Sequence, residues 1–315
     1  MNPQLLLCVN PNAAIDKTLV VENFHLNAIH RPTQELALPG GKGCNVARVA
    51  KTLGQQPVVT GWVGGYHGQF IEEGLHAEGI LTALIHTQVE SRDCTSILDT
   101  ATGSMTEIYE RGRPVSPGEL DAFYANFKEW LAKVAMVTLS GSLPPGVPAD
   151  FYACLIRMAH EAHVPILLDS SGEPLRLGLE TGRPDVLKCN RAELSDVVGR
   201  PLEKLDDIRQ TIRDFSTRLG LKVVITLGGS GAVAAEGGRT WLAQAPHLEA
   251  VSAVGSGDAF LAGLACGLLE GKPFEEALRL AIAAGSANTL QIGAGRLRIE
   301  DVQKLLEQAP VVEVV

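Results

Sequence analysis

The chain has 315 residues, 45% of them hydrophobic and 20% charged, enough to bury a large core in one α/β domain, or in a domain with a small appendage. A formal net charge of −9 argues against a surface built for nucleic acid or anionic lipid, yet leaves a few basic residues free to gather in one cleft for a small anion. No apolar run reaches the roughly 18 residues needed to span a membrane. Met1-Asn2-Pro3-Gln4 leads into an apolar strand without a basic leader. Cys8, Cys44, Cys94, Cys154, Cys189 and Cys266 are scattered without a C-x-x-C pair, so buried free thiols and a cytoplasmic location are expected.

The first strand is expected over 4–9. Asn12-Ala13-Ala14-Ile15-Asp16 follows and puts Asp16 at a strand's carboxyl end, where it either binds hydroxyls or only forms a turn. Residues 18–38, and again 95–111, alternate polar and apolar side chains with no helix between them. They predict a few antiparallel strands forming a small lid that keeps water from a reaction, the plainer alternative being a hairpin on the sheet edge. Pro39-Gly40-Gly41-Lys42-Gly43-Cys44-Asn45 opens a helix over 43–53 that carries Val46, Val49, Ala50 and Leu53 on one face. Gly40 and Gly41 would let a ligand approach closely, Lys42 adds a charge for phosphate, and Asn45 can donate and accept to hydroxyls. The turn is not a Walker A loop, because Gly-x-x-x-x-Gly-Lys-Ser/Thr does not occur.

Further strands at 57–63, 136–140, 165–170, 186–188 and 222–227 are near-continuously apolar, as strands buried on both faces are. Helical periodicity marks 117–133, 149–162 and 205–219. Repeated βα units of this kind imply an α/β fold with a mainly parallel sheet and helices on both faces. Lys188-Cys189-Asn190-Arg191-Ala192-Glu193 ends one strand and starts a helix. Asn190 and Glu193 fit a capping box; equally, Glu193 could hold the water shell of Mg²⁺ with Asn190 near nucleotide phosphates. In Thr226-Leu227-Gly228-Gly229-Ser230-Gly231, the spacing to Ala234 imitates a dinucleotide fingerprint. The residues after it, 232–236 and 240–243, read as a β-hairpin, so no helix N-terminus is there to hold a pyrophosphate.

The strongest signal is Ala250-Val251-Ser252-Ala253-Val254-Gly255-Ser256-Gly257-Asp258, followed over 259–269 by a helix apolar all round and therefore buried. Its N-terminus would aim the N–H groups of Gly255, Ser256 and Gly257 into a cavity, a setting that favours a polyanion. Asp258 could merely cap the helix. Two glycines before it and a fully apolar helix behind it favour a general base that takes the proton of an attacking hydroxyl.

Together these motifs resemble the ribokinase-like (phosphofructokinase B) family of carbohydrate kinases, within it the branch of 1-phosphofructokinase and tagatose-6-phosphate kinase. Gly61-Trp62-Val63-Gly64-Gly65, Ser140-Gly141-Ser142-Leu143-Pro144-Pro145-Gly146 and Asp169-Ser170-Ser171-Gly172 complete the match, in the family's order across nearly the whole chain. The resemblance implies one three-layer α/β/α domain over 1–315 with a β-sheet lid, a homodimer joined through that lid, and ATP with Mg²⁺. It implies Asp258 as base, the Gly255, Ser256 and Gly257 amides as anion hole, and Asp16, Gly40, Gly41, Asn45 and Ser142 on the sugar. Lys188, Asn190, Thr226, Leu227, Gly228, Gly231, Ile282 and Ser286 would meet ATP, with Mg²⁺ held through water by Glu193. Arg92, assisted by Lys42, would meet the acceptor's existing phosphate; Arg31 of a second subunit is either a further helper or a plain surface arginine. Ala13 and Ala253 depart from the family's usual proline and threonine. The expected reaction converts a ketohexose monophosphate to its bisphosphate, fructose 1-phosphate first. Fructose 6-phosphate and tagatose 6-phosphate are alternative acceptors; an unphosphorylated sugar or nucleoside, or a sensor without turnover, stands further off.

Overall fold

In the computed structural model, which describes residues 4–314, the apolar runs become strands at close to their expected places; Met1, Asn2 and Pro3 of the leader reading lie outside the described residues. The chain runs through β1 (Leu5–Val9), β2 (Ala14–Val21), β3 (Gln34–Gly40), α1 (Lys42–Thr52), β4 (Gln56–Thr60), β5 (Trp62–Gly64) and α2 (Gly65–Ala77). Then come β6 (Leu81–Thr82), β7 (Ile85–Thr87), β8 (Arg92–Asp99), β9 (Met105–Tyr109), α3 (Pro117–Leu131), β10 (Met136–Ser140) and α4 (Phe151–Glu161). The sheet continues with β11 (Ile166–Asp169), α5 (Gly172–Leu177), β12 (Val186–Asn190), α6 (Arg191–Val198), α7 (Leu205–Leu219) and β13 (Lys222–Thr226). A hairpin, β14 (Ala232–Glu236) and β15 (Arg239–Ala243), precedes α8 (Ser256–Leu269), α9 (Phe274–Asn288), α10 (Ile299–Leu306) and β16 (Val311–Val314).

Among the described residues the main sheet has the order β16-β15-β14-β13-β12-β11-β10-β1-β4-β6. It is parallel from β6 to β13 and antiparallel over the last three strands. Alternate residues of each strand feed different cores. Leu6 and Cys8 join α1, α8 and α9 on one face, while Leu7 and Val9 join α3 and α4 on the other. Both faces being covered is why these strands read as unbroken apolar runs. The five cysteines Cys8, Cys44, Cys94, Cys189 and Cys266 are buried and Cys154 is partly so, all six as free thiols. No helix among the described residues is long and apolar enough to cross a membrane.

Three expectations need correction. The run 57–63 is not one strand: it breaks at Gly61 into β4 and β5, and β5 leaves the main sheet to pair with β7. The small separate sheet, expected as a lid, begins earlier than residues 18 and 95, at Ala14 and Arg92, and its order is β3-β2-β8-β9. Its outer pairs are antiparallel as expected, but β2 and β8 are parallel because both excursions rise from the same side of the main sheet. The closing strand β16 was not anticipated, although Val311, Val312 and Val314 are β-branched residues suited to a sheet edge.

Candidate active site

The turn before α8 fixes the centre of the site. Gly255 caps α8 at φ 78°, and a Cβ there would lie 2.8 Å from Ala294 Cα, so a side chain is excluded both by conformation and by space. The Ser256 N–H turns back to Ala253 O at 3.2 Å. Of the expected trio, the Gly255 and Gly257 N–H groups are therefore the ones left for an anion. Asp258 is 6% exposed and accepts a 2.9 Å hydrogen bond from Asn45 Nδ2. Burial pushes its carboxyl up, and the Lys42 ammonium partly opposes that rise.

Asn45 is itself aimed. Its Oδ1 accepts from Arg48 Nη1 at 3.2 Å, and the same buried guanidinium donates to Ala294 O, to Pro39 O and to Glu78. Arg48 thus ties α1 to the loop that follows α9, a role sequence reasoning missed. Asn10 was missed too: its Nδ2 donates to Gly40 O at 3.0 Å and its Oδ1 accepts from Gly43 N at 3.2 Å, bracing the glycine turn. A polar residue closing the apolar run of β1 was the available signal.

Gly40 has a structural reason of its own. A Cβ at Gly40 would fall 2.2 Å from Asp16 Cγ, so the glycine makes room for that carboxylate. Asp16 Oδ2 accepts from Gly41 N at 3.3 Å, and burial lifts its pKa to about 6. Asp169, at the end of β11, is fully buried between two lysines, with Lys188 Nζ at 2.8 Å and Lys42 Nζ at 3.3 Å. Burial alone would raise its pKa, but the two ammoniums outweigh it and hold the carboxyl below its ordinary value. That ion pair raises the pKa of Lys42. Asp169 had no assigned role in the sequence; its partners come from α1 and β12.

A cavity of about 730 Å³ gathers these groups. Asp16, Gly41, Lys42, Asn45, Arg92 and Ser142 line it together with Lys188, Asn190, Glu193, Thr226, Gly255, Gly257 and Asp258. Residues 6–301 of the chain match the pfkB family carbohydrate kinase family. The chain belongs to that family. It is a kinase that transfers phosphate to a hydroxyl group. A possible 1-phosphofructokinase from Thermotoga maritima is 27% identical with a TM-score of 0.91, over 99% of this chain and 100% of that one. Phosphofructokinase-2 from Escherichia coli, in complex with fructose-6-phosphate, is 27% identical with a TM-score of 0.87, over 98% and 99%. At 19% identity, a candidate ribokinase from Agrobacterium tumefaciens shares the ribokinase-like fold with a TM-score of 0.79 over 98% of each chain.

On the far side of this pfkB kinase's cavity, Asn190 caps α6 and the full capping box is formed: Asn190 N donates to Glu193 Oε2 at 2.7 Å and Glu193 N donates to Asn190 Oδ1 at 2.9 Å. The two readings of Glu193 are compatible, since one carboxylate oxygen caps the helix while the residue still lines the cavity. A neighbouring groove of about 810 Å³ shares Asn190 and Thr226 and adds Leu227 and Gly228. Gly231, Ile282 and Ser286 line neither cavity, and Ile282, 3% exposed in α9, is packed in the core. Ser256 and Gly40 are beside the main cavity without lining it, and Arg31 is exposed in the β2–β3 loop. The Gly228–Ser230 turn leads into the β14–β15 hairpin and not into a helix.

Proposed function

We propose that this kinase transfers the γ-phosphoryl group of ATP to a ketohexose monophosphate, giving the bisphosphate, with fructose 1-phosphate as first choice of acceptor. The observation that carries the reading is the single cavity in which buried Asp258, the glycine turn, Asp16 and Arg92 meet. Asp16 and Asn45 hold sugar hydroxyls. Asp258 takes the proton of the attacking hydroxyl onto its carboxylate, while the Gly255 and Gly257 amides and the Lys42 and Lys188 ammoniums receive charge on the transferring group. Arg92 and Ser142 bind the acceptor's existing phosphate.

ATP would enter from the side of Asn190, Thr226, Leu227 and Gly228. Mg²⁺ commonly takes one or two carboxylates with water and substrate phosphates, and Glu193, a carboxylate lining the cavity, is the residue that would hold it, through water. The ion would supply neutralising charge to the phosphates. The lid carries exposed apolar side chains at Leu26 (83%), Ile29 (87%), Ile108 (61%) and Tyr109 (51%), which supports a homodimer joined there.

ADP release with Mg²⁺-ATP tests the proposal against fructose 1-phosphate, fructose 6-phosphate, tagatose 6-phosphate, fructose, ribose and adenosine. Turnover on one phosphorylated ketose should fall by about 10²–10⁴ in Asp258→Asn. Turnover confined to unphosphorylated acceptors would overturn the substrate class, and an undiminished mutant would overturn the base.

A further inference from the structure

The acceptor cavity does not end at Arg92. An open cavity of about 470 Å³ continues from it, sharing Asn12, Arg92 and Ser142 and reaching Arg111 beyond the end of β9. Asn12 Nδ2 donates to Ser142 Oγ at 3.1 Å, which ties the loop after β1 to the loop after β10 at the junction. Neither Asp258 nor Lys42 lines this second space. An anion bound there would leave the groups that handle the transferring phosphoryl unoccupied.

The charges around the second cavity do not cancel. Glu110 is the acid present, and its Oε2 is already engaged, 3.8 Å from Arg113 and accepting from the Asp93 N–H at 3.3 Å. Arg92 is held by neutral oxygens: Nη1 donates to Glu110 O at 2.8 Å, while Nε and Nη2 donate to Asn12 O at 3.3 and 3.2 Å. Carbonyls fix the guanidinium in place without neutralising it. Arg111 is exposed and makes no hydrogen bond or ion pair among the described residues. In a chain of net charge −9, two guanidiniums against one carboxylate lining the same cavity are a local reversal of sign that suits a dianion.

We infer that Arg111 joins Arg92 in a phosphomonoester subsite at the outer end of the acceptor cavity, and that Arg111 is a specificity-determining residue for the acceptor's existing phosphate. The inference rests on the reading of the acceptor as a sugar phosphate. Arg92 is preorganised and supplies the fixed half of the subsite. Arg111 must be ordered when the phosphate arrives, and an exposed pair is screened by water, so its effect is modest.

Steady-state kinetics of the wild type and Arg111→Ala, with fructose 1-phosphate, fructose 6-phosphate and fructose as acceptors, test this. The KM of the preferred phosphorylated acceptor should rise about three- to fivefold, with kcat and the KM for ATP within about 1.5-fold and fructose unaffected. Arg111→Lys should recover part of the loss, and unchanged thermal melting should show that the fold is kept. If the wild type prefers a phosphorylated acceptor and Arg111→Ala keeps its KM, the subsite is wrong and the proposed function stands. A fall in kcat on both kinds of acceptor would mark a structural role and overturn it as well. A wild type indifferent to the phosphate would overturn the reading of the acceptor, and the subsite with it.

Discussion

Asp16, Asp169 and Asp258 surround one cleft in three electrostatic settings. Asp169 is held ionised by two ammoniums, whereas Asp16 and Asp258 carry raised pKa values because burial penalises their charge. For Asp16 the folded value of about 6 stands above the ordinary value of 3.8, so between those pH values the native state keeps a proton that the unfolded chain has lost. Stability therefore falls as pH rises through that window. Asp16→Asn should be more stable than the wild type at pH 8 by roughly 1–3 kcal/mol and equal to it below about pH 4, as read by urea melts at both pH values. The same substitution should weaken acceptor binding, since the carboxylate is the form that accepts hydroxyl protons. In the wild type, kcat/KM for the acceptor should decline as pH falls through about 6, the value for Asp16, with protonation of Asp258 acting in the same direction.

At the scale of elements, the proposed chemistry is most directly tested at the α8 turn. Gly255→Ala would meet both the positive φ and the Ala294 backbone. It should cost about 1–2 kcal/mol of stability. By moving the amide donors it should also lower kcat by on the order of 10²–10³, with the KM of the acceptor changed far less. This turn was legible because a Gly-x-Gly-Asp before an apolar helix is a local pattern. The helix over 205–219 and the strand over 136–140 were legible for the same reason: periodicity and caps act within a few residues. Arg48, Asn10 and Asp169 were not, because their meaning lies in partners far along the chain. Arg48 reaches Ala294 across 246 positions, and Asp169 reaches Lys42 across 127. The capping box at Asn190 was readable as geometry, yet its second face, toward the cavity, appears only when β11, β12 and β13 lie side by side.

For the whole molecule, the exposed apolar residues of the lid bear on assembly. Leu26→Ser with Ile29→Ser should weaken self-association at least about tenfold in sedimentation velocity, with the fold unchanged by circular dichroism. An unaltered sedimentation profile would mean that the lid tip is not the interface. The small sheet also bears on how the acceptor would be recognised. Its ladders bring Ala14 level with Gly40 on one side and with Arg92 on the other, so Asp16 and Arg92, the residues proposed to bind the acceptor, belong to that sheet itself. On the proposed function, a sugar that engages both residues is gripped by two neighbouring strands of the sheet, so its recognition and the placing of the cover would depend on one ladder of backbone pairs.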